Sequence, residues 1–346
     1  MASFPSSHGK QEPTAQPLLD MNYSFARTAM LLTAVRLHLF TLLADRALTS
    51  SELAAGAGTL PEPTERLLRG LEALGLVERQ DDTYRLTPIA DVFLVEGKSS
   101  YLGGDTLAMQ DYVPAWFELD RTLYTSTPYR DLGHAATAEA FFAPRVVDLF
   151  PLIFPIASRI AADFPLAKQK EAPLQVLDVG AGSAPWSAAF AQSYPAAQIT
   201  ALDLPQVVEQ GQQCTIKREL TDRYTWIKAD METYSFPADT YDLILCGHVC
   251  RFISDERVQT LLARLAESLH AGGTIIVADI FFTEDRKGPP PAITLDLSML
   301  VNSAQGRVRT VSEIGGWLEE CGLIDVQRVH LTGPFPVVVA RKQKEK

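Results

Sequence analysis

The stretch Val176-Leu177-Asp178-Val179-Gly180-Ala181-Gly182-Ser183-Ala184-Pro185-Trp186 decides the fold. An apolar strand runs directly into Gly-x-Gly, and Trp186 to Tyr194 then reads as a helix. Glycine is needed where backbone turns tightly and passes close to a ligand, and open α/β sheets bind ligands at the carboxyl ends of their strands. A plain strand–helix turn would show the same pattern, so the next strand matters. Gln198 to Leu202 is apolar and ends at Asp203, about twenty residues beyond Gly182, the spacing at which a carboxylate reaches a ribose diol. Any single Asp can be an exposed loop residue. A glycine turn and a carboxylate at the ends of two consecutive strands speak against that reading.

Working outward, the second half of the chain alternates strands and helices. Tyr224 to Lys228, Tyr241 to Cys246 and Thr274 to Asp279 read as strands, and Asp255 to Leu269 reads as a helix. Such alternation with apolar strands means a mostly parallel, Rossmann-like α/β sheet covered on both faces. Ser312 to Ala340 adds a helix and an edge hairpin. A dinucleotide site wants a third glycine, Gly-x-Gly-x-x-Gly, where this chain has Pro185. S-adenosylmethionine carries no phosphate, so the loss suits it and counts against NAD. Asp230, after the third strand, suits an adenine amino group, with Met231 as an apolar ring contact. A surface Asp and a core Met are the plain alternatives.

The first half is different. Met21, Phe25, Ala29, Leu32, Val35, Leu39 and Leu43 recur at helical spacing from Leu19 to Ala44. Thr49 and Glu52 form a capping-box pattern that Leu48 and Leu53 could staple. A helix follows Pro63, ended by Gly75, and two short strands flank Asp81-Asp82. Three helices and a two-strand wing make a winged-helix pattern. Residues 1–18 are expected as a disordered lead, 19–103 as the winged-helix-like unit, 104–167 as a helical linker, and 168–346 as the nucleotide-binding domain. Lys168 to Pro173 reads as a short polar link. Tyr112, Trp116, Phe150 and Phe154 are expected to wall an acceptor, with core or dimer packing as the alternative for most aromatics there.

With 346 residues, two domains are expected. A formal net charge of -11 argues against nucleic-acid and anionic-membrane partners. No apolar run has the length of a membrane span, and the N-terminus lacks the apolar core of a signal peptide. The four cysteines form no Cys-x-x-Cys pair or zinc spacing, so no metal site is expected and a reduced cytoplasmic setting is.

These segments resemble the O-methyltransferase family of plant and bacterial natural-product enzymes, in which a dimerisation domain precedes a class I methyltransferase domain. The likeness runs from about Leu19 to Arg341. Leu177 to Gly182 resembles the first motif, with Ala184 where a third glycine is usual. Asp203-Leu204 and Asp230-Met231 match the ribose and adenine positions, and Leu269 to Gly273 resembles the turn before the fifth strand. Asp296 to Leu300 and Arg309 to Glu313 match the late signature. The resemblance implies S-adenosyl-L-methionine held by Asp178, Gly180, Gly182, Asp203, Leu204, Asp230, Met231, Cys246 and Gly247. It also implies a homodimer and a small-molecule acceptor, with Met299 joining the acceptor wall.

One position departs from the family. Its usual His-Asp-Trp, in which the His takes the acceptor's proton, aligns without a gap on Arg251-Phe252-Ile253. A guanidinium stays protonated and is no base. Either the acceptor arrives anionic or carbon-nucleophilic and Arg251 clamps it, or His248 is a displaced base, or the cofactor is used without methyl transfer. A surface Arg and a structural His are the plain alternatives. A non-catalytic scaffold and a winged-helix regulator are the rival functions. Glu62, Glu65 and Glu72 offset Arg66 and Arg69 on the candidate recognition helix and count against the regulator.

Overall fold

The computed structural model describes residues 13–163, 173–329 and 336–344. The link expected at 168–173 and the turn of the edge hairpin therefore lie largely outside the described residues, as does most of the expected disordered lead. The chain divides into two units, Met1–Leu107 and Ala108–Lys346.

The first unit contains α1 (Gln16–Asn22), α2 (Ser24–Arg36), α3 (Leu39–Leu42), β1 (Leu48–Thr49), α4 (Ser50–Ala57), α5 (Pro61–Ala73), β2 (Val77–Gln80), β3 (Thr83–Leu86) and α6 (Pro88–Leu94). Helix starts at Gln16, inside the expected lead. The periodic segment from Leu19 is three helices rather than one, because Tyr23 leaves the helical region and His38 is left-handed at φ 54°. The Thr49–Glu52 capping box is formed on both sides, a feature worth about 1 kcal/mol. The wing has three strands in the order β1-β3-β2, because Leu48 and Thr49 pair with Tyr84 and Thr83. Val35, Leu39, Phe40, Leu53, Leu68, Leu71 and Tyr84 fill its core. Leu18, Leu19, Met21, Tyr23 and Phe25 stay exposed on α1 and the start of α2.

After α7 (Gly103–Trp116), the second unit runs α8 (Leu119–Thr125), α9 (Ala135–Phe142), α10 (Val146–Asp163), β4 (Gln175–Val179), α11 (Pro185–Ser193), β5 (Gln198–Asp203), α12 (Pro205–Ile216), β6 (Tyr224–Lys228) and β7 (Tyr241–Gly247). It ends with α13 (Asp255–Ser268), β8 (Leu269–Ala278), α14 (Pro290–Asn302), α15 (Val311–Glu320), β9 (Leu323–Val329) and β10 (Val337–Lys342). Its seven-stranded sheet has the order β6-β5-β4-β7-β8-β10-β9. Strands β4 to β8 pair in parallel, and β10 is antiparallel to both β8 and β9. The order reverses at β4, so β4 and β7 open a switch-point crevice at their carboxyl ends. The turn expected at Leu269–Gly273 is a bulge instead: Leu269 pairs with Tyr241 and Thr274 with Leu243, while Gly272 takes φ 80°. Buried Val176, Ile199, Leu243 and Ile276 pack one face of the sheet, and Leu177, Ile244 and Ile275 the other. No single helix among the described residues is long and apolar enough to cross a membrane.

Candidate active site

Backbone geometry builds the cofactor edge. Gly180 and Gly182 stand at φ 65° and 58°, where a side chain is strained. A Cβ on Gly180 would also collide with the Val249 side chain. Leu202 O accepts from Gly180 N (2.9 Å) and Ala181 N (3.1 Å), which turns the loop back onto β5. Ala184, in the third-glycine position, is also left-handed, and Pro185 then opens α11 where no backbone donor is needed.

Asp203 locks the loop. Its carboxylate accepts from Gly182 N (2.7 Å) and Leu204 N (2.7 Å). Burial raises its pKa to about 6 even against those donors. A carboxylate offers about four lone-pair sites, so two remain for a diol. Asp178 behaves differently. It is buried on β4, takes a hydrogen bond from Ser187 Oγ (2.5 Å), and burial raises it to about 7. Tyr224 Oη lies 3.0 Å from the same Ser187 hydroxyl. Asp178 shapes the loop from beneath and does not line the cavity.

A cavity with about 1030 Å³ of open space, its mouth included, lies over these strand ends. Gly180, Gly182, Asp203, Leu204, Asp230, Met231 and Gly247 line it, which brings together seven of the nine expected cofactor residues. The exceptions are Asp178 and Cys246, whose Sγ packs 3.7 Å from Cys250 Sγ in the core. The glycine cradle, the Asp203 carboxylate and the apolar Leu204 and Met231 together fit an adenosyl group.

The expected acceptor residues do not line the cavity. Phe150 and Phe154 stack on each other at 4.9 Å in the core of the second unit, with the Arg218 guanidinium over Phe150. Successive helical residues point about 100° apart, and α10 turns Leu149 and Ile153 to the cavity instead. Tyr112 packs edge-on against Phe141, Trp116 is half-buried away from the cavity, and Met299 is buried. The walls come instead from Ala135, Ala138 and Phe142 of α9, with Trp186 and Phe252, and of these only Phe142 belongs to the aromatic segment expected to supply them. A run of small residues was the sequence signal for the α9 part of that wall.

At the carboxyl end of β7 the two candidate catalytic residues meet. His248 is left-handed at φ 63°, is tied by its N–H to Ala278 O (2.8 Å), and is among the residues that line the cavity. Arg251 follows on a short 3-10 turn, Cys250–Phe252. Its Nη2 reaches both His248 Nδ1 and Asp279 Oδ1, the latter at 3.0 Å. The Arg251 side chain is 11% exposed and that of Asp279 6%, and the guanidinium does not line the cavity. Arg309, buried behind the turn, donates to Cys250 O (2.7 Å) and Ile253 O (2.8 Å) and pairs with Asp255 (2.8 Å). The late signature thus holds the turn that carries Arg251. Asp279 was missed as a site residue, although it follows the last residue of β8 at the same edge as Asp203. Burial, and then the Arg251 charge, push His248 well below its ordinary pKa.

Similarity to known proteins agrees with this geometry. The O-methyltransferase domain model matches residues 158–323, and the O-methyltransferase dimerisation domain model matches 19–96. The tetracenomycin polyketide synthesis 8-O-methyl transferase of Streptomyces glaucescens is 28% identical, over 94% of this chain and 96% of that protein. A 3-hydroxy-5-methyl-1-naphthoate 3-O-methyltransferase of Streptomyces sahachiroi is 25% identical, over 92% of each. Human N-acetylserotonin methyltransferase, solved in complex with SAM, shares the fold at TM-score 0.84 and 23% identity, over 97% of this chain and 100% of that one. With both family domains in order and the strand-end cavity behind them, the chain belongs to the O-methyltransferase family.

Proposed function

We propose that this enzyme moves the methyl group of S-adenosylmethionine onto an acidic hydroxyl of a flat, mostly apolar, natural-product-type acceptor. The cofactor supplies a methyl group on a sulfonium, activated before it binds. Gly180, Gly182 and Asp203 hold its nucleoside, and Asp230 and Met231 its adenine. Leu149, Ile153, Phe142 and Phe252 enclose the acceptor and exclude water. Transfer is an in-line displacement, whose rate comes largely from holding two reactants in register.

One observation carries the acidic-acceptor reading. The guanidinium at the usual base position is withdrawn from the cavity and held by Asp279. It neither removes a proton nor clamps the acceptor directly, so an oxygen that ionises unaided in water is the fitting nucleophile. The naphthoate named for one Streptomyces relative, and the polyketide synthesis named for the other, support a fused aromatic acceptor. The dimerisation-domain match and the apolar side chains exposed on α1 and α2 support a homodimer. Four unpaired thiols suit a reducing cytoplasm.

Calorimetric titration tests the cofactor half. S-adenosylmethionine is expected to bind wild type and to lose affinity in Asp203→Ala, while NAD binds neither. Well-folded wild type without heat of binding for S-adenosylmethionine would refute the reading.

A further inference from the structure

We infer that α9 and the turn before it form a cover that moves when the cofactor enters and leaves, and that Arg257 and Glu139 are the positioning residues that clasp it shut. The inference rests on the cofactor reading for its binding arm only.

Placement comes first. Gly133, Ala135, Ala138 and Phe142 of this segment line the cavity. At its amino end the segment is tied to Glu232, just beyond β6. At its carboxyl end Phe142, Ala143 and Val146 share an apolar cluster with Leu204 and Val207, just beyond β5. The cover therefore runs from the end of β6 to the end of β5, across the interval between Asp230 and Asp203. Those are the carboxylates proposed for the adenine and the ribose. A nucleoside held by both lies beneath α9.

Two clasps hold the cover. The first is Arg257 of α13. Its guanidinium forks onto the Glu232 carboxylate, with Nε 2.6 Å from Oε2 and Nη2 bonded to Oε1. The same Nη2 donates to Gly133 O at 2.7 Å. One cation thus joins the cavity edge to the cover. The second clasp is Glu139 of α9, whose Oε1 accepts from Gln206 N at 2.7 Å, at the start of α12. The helix itself adds little anchorage, because Phe141 is the buried residue among its eight. Segments with few buried apolar contacts open at lower free energy than the core.

The turn before α9 is fixed from behind. Leu132 N donates to Asn302 O at 2.8 Å, and Asp131 Oδ1 accepts from Gly133 N and Ala304 N. A Cβ on Gly133 would stand 2.6 Å from Phe252 O, so the cover closes onto the backbone of the turn that carries Phe252. Motion therefore begins at Gly133. Release of the two clasps lifts α9 from the nucleoside and leaves the glycine loop in place. Lid opening of this kind limits turnover in many enzymes through product release.

The test is amide hydrogen exchange of the cofactor-free protein. Stopped-flow tryptophan fluorescence with S-adenosylhomocysteine is the second arm, and Trp186 on the cavity wall supplies a signal. In Arg257→Met, which removes charge-assisted bonds, amides of residues 133–142 are expected to exchange about tenfold faster, while those of β4 keep their protection. S-adenosylhomocysteine is expected to associate and dissociate about tenfold faster, with Kd within about threefold of wild type. Weaker binding without faster association is the mark of a merely structural role and would count against the cover. Glu139→Ala breaks the other clasp and is expected to shift both readings the same way by a smaller factor. It serves as the second variant if Arg257→Met does not fold. Arg257→Lys keeps a charge beside Glu232 without the fork, and is expected to fall between wild type and Arg257→Met. Unchanged exchange at residues 133–142 in the clasp variants would overturn the clasp. Faster exchange with unchanged release of S-adenosylhomocysteine would overturn the route. The exchange arm needs no ligand, so failure of the cofactor reading stays distinguishable.

Discussion

The two halves of one sheet edge handle charge in opposite ways. At β4–β5, the Asp203 carboxylate faces the cavity, and its backbone donors leave lone pairs for a ligand. At β7–β8, Asp279 is spent on Arg251 and turned away from the cavity. The first half is a preorganised acceptor of hydrogen bonds from a nucleoside. The second is a closed ion pair, with His248 Nδ1 within hydrogen-bonding distance of the same guanidinium nitrogen. A carboxylate at a strand end therefore does not identify itself as a ligand-binding group. What pairs with it decides.

Substitutions separate the halves. The largest effect is expected for Asp203→Ala, which removes charged hydrogen bonds and releases the glycine loop. S-adenosylmethionine affinity should fall by more than a hundredfold, about 3 kcal/mol, in calorimetric titration. Asp279→Ala should act on stability instead, because one member of a buried pair is left uncompensated. A loss of about 3 kcal/mol in denaturant unfolding is expected, with cofactor affinity in the remaining folded protein nearly unchanged. Equal effects on affinity and stability in both variants would erase the contrast drawn above.

Acid–base behaviour sharpens the same contrast. Asp203 must be ionised to accept from a diol, so affinity for S-adenosylmethionine should fall as pH drops below about 6. The stability of the cofactor-free protein runs the other way. Asp203 and Asp178 have folded pKa values raised to about 6 and about 7, so the folded state holds more protons than the unfolded one above their ordinary range. Their contribution is full below pH 4 and is lost as pH rises through 6 and 7. Asp178→Asn should remove its part of that decline, read as a smaller drop in Tm between mildly acidic and neutral buffer. The smallest effect tests the two faces of α10. Phe154→Leu should cost about 1 kcal/mol of stability with acceptor KM unchanged, whereas Ile153→Phe should raise acceptor KM.

The cofactor edge was legible in the sequence because it is local. A strand, two glycines and the Asp ending the next strand are short-range patterns, and backbone geometry fixes what they do. Cys246 and Asp178 show the limit: sharing a strand end with site residues does not decide which way a side chain points. The acceptor wall was illegible for the same reason. Phe150 and Phe154 are the conspicuous residues on α10, yet the helix phase relative to the sheet, set by tertiary packing, gave the cavity Leu149 and Ile153. Arg251 was found by counting from a resemblance. Its pairing with Asp279 spans two neighbouring strand ends and is visible only once β7 and β8 lie side by side. In the first unit, periodicity ran through the breaks at Tyr23 and His38 because one irregular residue scarcely disturbs a helical repeat.

The most direct test of the account is the pH dependence of methyl transfer from labelled S-adenosylmethionine to two phenols of different acidity, above pH 6 with the cofactor saturating. The rate is expected to follow the ionised fraction of each phenol, flat for the acidic one and rising about tenfold per pH unit for the weaker one. A rising limb at one histidine-like pKa shared by both acceptors, and abolished in His248→Gln, would show that the protein supplies the base and would contradict the account.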